Sequence, residues 1–213
     1  MSQSFHIFDR KTVKQHRNRA AQNNKDSNFL FKESANSLIG RLDDISRTFS
    51  MGLNLGCRGQ NIAATTSKKH RKIKWIETDL SPKFSKQAKD FYSGTVLAMD
   101  EELLAFKQQT FDLVVSNLSF HWVNDLPGTF KQILQVLKPN GLFLASFLGE
   151  ETLFELRQSL VQAEVENDNG LSPRISTFTE LKTAGDLLVR AGFALPVADI
   201  EKIVVSYADP FQL

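Results

Sequence analysis

The chain has 213 residues, 41% of them hydrophobic and 23% charged, with a net charge of +2 and one cysteine, Cys57. That length suits a single compact domain, and the charge is too small to argue for nucleic acid. One cysteine excludes an internal disulfide, and no apolar run is long enough to cross a bilayer.

The opening "MSQSFHIFDRKTVKQHRNRAA" lacks a secretory apolar core. It is basic and partly amphipathic, as a mitochondrial presequence would be, but "FHIFDR" reads like domain sequence. The expected location is therefore cytoplasmic, with the mitochondrial matrix as the alternative. Asp9 to Ala21 predicts a basic helix, and Asn23 to Asn28 a polar break. Phe31, Ala35, Leu38, Leu42 and Ile45 recur at helical spacing, which lays a second helix on a core. Residues 1–49 are expected to form a helical cap on a core spanning 50–213.

From there strands and helices alternate. "MGLNL" (Met51 to Leu55) predicts a strand, then a loop and a weak helix. "KIKWIET" (Lys72 to Thr78) predicts a second strand, with a helix from about Pro82. "GTVLAM" (Gly94 to Met99) is a third, and "FDLVVSN" (Phe111 to Asn117) a fourth, apolar enough to be buried on both faces. Pro127 suits the first turn of a helix that stops at Pro139-Asn140-Gly141, and "LFLASFL" follows as a fifth strand. A helix over about Glu151 to Glu166, a helix ending at Gly192 and a last strand, Val197 to Tyr207, complete the chain. This order implies an α/β fold, a mostly parallel sheet with helices on both faces. In such sheets ligands sit beyond the carboxyl ends of the strands.

The first strand ends in "LNLGCRGQNIA". Gly56 and Gly59 would let the backbone approach a ligand; a tight turn without ligand is the competing reading. Asp79, followed by Leu80, lies about where an acid takes the ribose hydroxyls of a nucleotide, or else opens a helix with Ser81 as N-cap. Asp100 and Glu101 after the third strand could receive an adenine amine or form a solvated acidic turn. Ser116 and Asn117 tip the fourth strand, and His121 beside Trp122 is a candidate acid–base group or a structural histidine. "KKHRK" (Lys68 to Lys72) reads as a solvated loop. The basic helix carrying Lys11, Lys14, Arg17 and Arg19 reads as surface or as a lid, and Cys57 as buried and inert. His6, His16, His70 and His121 are scattered, with no metal-binding pattern.

Together these strand ends resemble class I S-adenosylmethionine-dependent methyltransferases. Longer stretches narrow the likeness: "IFDR" with "RNRAA", "FDLVVSNLSFHWVNDLPGTFKQILQVLKPNGLFLASFLGEETLFELRQSL", "LSPRISTF" and "LLVRAGFALPVADIEKIVVSY". They resemble the methyltransferase-like assembly factors of respiratory complex I and their alphaproteobacterial relatives. The malonyl-carrier-protein methyltransferases of biotin synthesis are similar at greater distance. The resemblance implies a Rossmann-like fold that binds S-adenosylmethionine. Asn54, Gly56 and Gly59 would lie on the cofactor loop, Asp79 with Leu80 at the ribose, Asp100 and Glu101 at the adenine, and Ser116 with Asn117 at the fourth strand tip.

Its mitochondrial members are associated with hydroxylation of a complex I arginine, so a complex I subunit is the implied partner. Two departures stand out. Asn54 and Gln60 replace an acid and a glycine of the family loop. Losing one charge-assisted contact would cost about 1.5–3 kcal/mol, roughly ten- to a hundred-fold in affinity. The chain also stops at "YADPFQL", where family members continue with a helix and a strand that lies beside strand five. An exposed sheet edge, reduced stability and possible self-association through that edge are then expected. The rival expectations are a scaffold protein without cofactor and a carrier-protein methyltransferase; a nicotinamide dehydrogenase lacks its glycine spacing.

Overall fold

The computed structural model describes residues 6–23, 28–58, 62, 66, 70–167, 172, 174–209 and 211. Five parallel strands form one sheet in the order β3-β2-β1-β4-β5: β1 (Met51–Leu55), β2 (Lys74–Asp79), β3 (Thr95–Ala98), β4 (Phe111–Asn117) and β5 (Leu137–Ser146). The order reverses between β1 and β4, so the switch point lies beyond the β1 end. The predicted α/β fold and the first four strands stand where the sequence placed them, within two residues at each end.

Each sheet face has its own core. Leu53 and Leu55 point to one side, where they pack with Phe111, Val114, Phe120, Phe130 and Ile133 under helix α4 (Leu126–Val136). Gly52 and Asn54 alternate to the other side. There Leu113, Val115 and Trp75 meet Leu38 and Leu42 of helix α2 (Phe29–Asp43). A Cβ at Gly52 would stand 2.6 Å from the Trp75 ring, so glycine is what lets that indole lie flat on β1.

Local chemistry sets the helix starts. Asp9 caps α1 (Arg10–Asn23) by accepting from the Lys11 N–H at 3.0 Å and the Thr12 hydroxyl at 2.6 Å. Ser81 accepts from Phe84 N–H at the head of α3 (Pro82–Phe91), with Pro82 at the first position. Asp125 does the same for Gly128 N–H in α4. Two helices follow, α5 (Phe154–Asn167) and α6 (Leu181–Ala191), and Gly192 closes α6 at φ +102°.

Four expectations need correction. The turn at Pro139-Asn140-Gly141 is an excursion within β5: Phe111 pairs with Leu137 and Leu113 with Leu142, and Asn140 takes a φ of +61° between them. The Val197 to Tyr207 stretch is not a strand. Among the described residues it pairs with no strand, and it is tied instead through side chains, Arg41 to Asp199 at 2.8 Å and Ser37 to Glu201 at 2.6 Å. The "KKHRK" loop is not wholly solvated. Its His70 is buried, with Nε2 3.2 Å from the Leu42 carbonyl. Nor is the basic N-terminal helix all surface, because Arg17 is buried. The weak helix expected after the glycine loop, Gly59 and Gln60 lie outside the described residues, apart from Ile62 and Thr66.

Candidate active site

At the end of β1 the backbone turns through Gly56, at φ +73°. A Cβ there would lie 2.2 Å from Ser119 Oγ and 3.1 Å from Glu101 Oε1. No other residue could hold that turn with those groups in place. The loop is fastened to β2: Cys57 N–H donates to the Thr78 carbonyl at 2.8 Å, and Arg58 N–H to Asp79 Oδ2 at 2.9 Å. Cys57 is buried, as expected. The Arg58 guanidinium lies over the ring of Phe31, 4.0 Å from its centroid, and near Phe84. Burial, with Arg17 nearby, pulls its pKa down to about 10.

Asp79 ends β2 fully buried, and its other oxygen accepts from Ser81 N–H at 2.7 Å. Burial pushes its pKa up against the pull of Arg17, and the nearby Glu101 adds to the rise. Leu80 is buried beside it. After β3, Asp100 and Glu101 face the same space. Here the structure adds what the sequence reading lacked: α1 crosses the strand ends and sets two arginines among the acids. Arg10 holds Asp100 through both carboxylate oxygens, at 2.5 and 3.1 Å, and reaches Glu101 at 2.6 Å. Arg17 binds Glu101 at 2.5 Å and Ser119 Oγ at 2.8 Å, and stands 3.5 Å from Asp79. Ser119 Oγ also donates to Glu101 at 2.6 Å. Burial alone would raise the Glu101 pKa, but Arg17 and Arg10 outweigh it and hold it at about 2.

His121 sits in a 3-10 turn (Phe120–Trp122) beyond β4. Burial, with Arg17 and Arg58 nearby, pulls its pKa down to about 3, so the ring is neutral at ordinary pH. Its Nδ1 is buried without a hydrogen-bond partner among the described residues. The ring lies 6.3 Å from Phe178, which lines a cavity of about 370 Å³ with Arg157, Leu160, Arg174 and Ile175.

The other predicted residues serve the frame. Ser116 Oγ donates to the Leu55 carbonyl at 2.9 Å. Asn117 donates to the Phe31 carbonyl at 2.9 Å and accepts from Ser146 Oγ, linking α2, β4 and β5. Asn54 is buried and donates through Nδ2 to Glu77 Oε2 at 2.5 Å. Sequence reasoning missed Arg10, Ser119 and Glu77. Arg10, Val13, Arg17 and Ala21 are spaced for one helix face, and that spacing was the available signal.

A methyltransferase domain pattern matches residues 53–145. Human mitochondrial arginine-hydroxylase NDUFAF5 is 41% identical over 213 residues, 99% of this chain and 61% of that protein. A malonyl-[acyl-carrier protein] O-methyltransferase of Methylovorus sp. strain MP688 is 31% identical over 98% of this chain and 72% of its own length. The chain belongs to the class I S-adenosylmethionine-dependent methyltransferase family. This methyltransferase-family chain spans about three fifths of the human relative's length. Solved structures agree on the fold. A SAM-dependent methyltransferase of Thermotoga maritima superposes with a TM-score of 0.61 at 19% identity, over 84% of this chain and 81% of that one. The [4+2]-cyclase SpnF does so with 0.65 at 14%, over 90% and 75%. The same fold thus carries chemistry other than methyl transfer.

Proposed function

We propose that this chain binds S-adenosylmethionine beyond the carboxyl ends of β1, β2 and β3 and modifies a protein side chain during assembly of respiratory complex I. The observation that carries the cofactor reading is Gly56, whose bare backbone turns at the β1 end against Ser119 and the buried Glu101, in a loop held to the buried Asp79 through the Arg58 N–H. These residues fit the group. Asp79 would take the ribose hydroxyls and Asp100 the adenine amine. The bound cofactor would supply a methyl group activated by its sulfonium. His121 would be the proton acceptor for a substrate entering beside Phe178, and the bound substrate would have to reach its buried Nδ1 and raise its basicity, because a pKa of about 3 makes the ring a weak base in the free chain. Arg10 and Arg17 already engage Asp100, Glu101 and Asp79. Cofactor binding must therefore share these acids with α1 or shift the helix.

The human, zebrafish and rodent relatives named as arginine-hydroxylases are mitochondrial, which supports the matrix alternative over the cytoplasm. On that kinship the favoured reaction is hydroxylation of an arginine, a two-electron oxidation that would need molecular oxygen and a reductant as co-substrates besides S-adenosylmethionine. A second reading, methyl esterification of a malonyl carrier protein, has the larger shared length behind it, 72% against 61%. Calorimetric titration with S-adenosylmethionine tests the common step, and micromolar binding is the expected result. A folded sample that binds none at millimolar cofactor sinks the proposal and leaves the scaffold alternative. Mass spectrometry of complex I subunits and of malonyl carrier protein, each incubated with the chain and cofactor, then separates an added oxygen from an added methyl.

A further inference from the structure

Glu77 is a carboxylate in the middle of a buried strand, fully enclosed. Strand register sets it directly opposite Asn54, and the amide of Asn54 donates to it at 2.5 Å. A carboxylate is costly to bury, and an apolar pair of similar volume would hold two strands together at least as well. Its place shows what it is for. Asn54 precedes Gly56 by two residues, and Glu77 precedes Asp79 by two. The alternation of strands therefore puts Glu77 on the same face as Asp79, one step below the loop. Cys57 and Arg58 pin the loop to this strand end through Thr78 and Asp79.

We infer that Glu77 is the buried negative charge on which the cofactor loop depends, a positioning residue with Asn54 as its fixed donor. Asn54 by itself brings no charge, and the Arg58 guanidinium adds a positive one to the loop. Asp79 already faces that guanidinium; a carboxylate at Glu77 adds a second negative charge beneath the loop, and in a dry interior its field would reach the ammonium and sulfonium of a cofactor more strongly than through water. Strands lie about 4.8 Å apart, so an acid on β1 or on β2 would leave the charge within one strand of the same place. The amide and the carboxylate should therefore be interchangeable between positions 54 and 77. This inference rests on the cofactor reading proposed above.

The test compares the full chain with Glu77→Gln and with the reciprocal Asn54→Asp/Glu77→Gln variant, by thermal melting and by titration with S-adenosylmethionine. Glu77→Gln is expected to weaken binding about tenfold or more while still melting cooperatively, and the double variant to recover to within about threefold of wild type. If Glu77→Gln fails to fold, the double variant decides alone, and a double variant that fails to fold as well overturns the exchange of the two positions. A folded Glu77→Gln chain with unchanged affinity overturns the inference, as does a folded double variant that does not bind. Failure of the cofactor reading looks different: wild type itself would not bind, and the inference would fall with it.

Discussion

Glu101 and His121 are both held away from their ordinary titration, and both departures weaken the folded state in acid. Glu101 titrates near 4.5 when unfolded and at about 2 when folded. Its contribution is whole above pH 4.5 and is lost as pH falls toward 2. His121 titrates near 6.5 unfolded and at about 3 folded, so the unfolded chain takes up the proton first and stability falls as pH drops from 6.5 toward 3. Asp79, whose pKa is raised, works in the opposite sense: it favours the folded state as pH falls through its raised value and offsets part of both losses. Urea unfolding at a series of pH values should show two separable acid limbs. His121→Asn should flatten the one between pH 6.5 and 3, and Glu101→Gln the one below pH 4.5. Identical limbs in wild type and both variants would mean that neither group is perturbed.

The glycine loop is the element on which the site turns. Gly56→Ala would put a methyl group 2.2 Å from Ser119 Oγ, on a backbone at φ +73°. It should cost about 1–3 kcal/mol in unfolding free energy and break the Ser119–Glu101–Arg17 cluster as the hydroxyl moves aside. Urea melts would measure it, and a cost near zero would show that the loop relaxes freely. Much of this element was legible in the sequence. β1 and β4 are short, apolar and followed by turn residues, and the acids Asp79 and Asp100 stand at the ends of β2 and β3. The arginines of α1 were not, because a charged residue on a helix reads as solvated until its partner is known. Nor was Glu77, since an acid within a strand reads as solvent-facing. Val197 to Tyr207 failed for the complementary reason: alternation encodes which side chains share a face, but not whether an edge is there to pair with.

On the scale of the whole molecule, the two cores and the apolar stretch after α6 differ in what they hold. Val204 is 78% exposed. Val204→Asp should shift the unfolding free energy by no more than about 0.5 kcal/mol. A loss of about 2 kcal/mol would mean that the stretch packs after all, and chemical denaturation decides between them. The feature with the longest reach is the dock of the N-terminal segment. Phe8 N–H donates to Asn124 Oδ1 at 2.8 Å, Asn124 donates back to the Phe8 carbonyl at 3.0 Å, and Arg10 closes on Asp100 and the Trp122 carbonyl. A ribosome makes this segment before any of the groups that hold it. The arginines leave the exit tunnel first, and their acids and Asn124 follow roughly sixty to a hundred and twenty residues later, several seconds at usual elongation rates. For that interval the nascent chain carries a basic helix whose folded-state partners Asp79, Asp100 and Glu101 are not yet made. Its first segment is then among the last to settle.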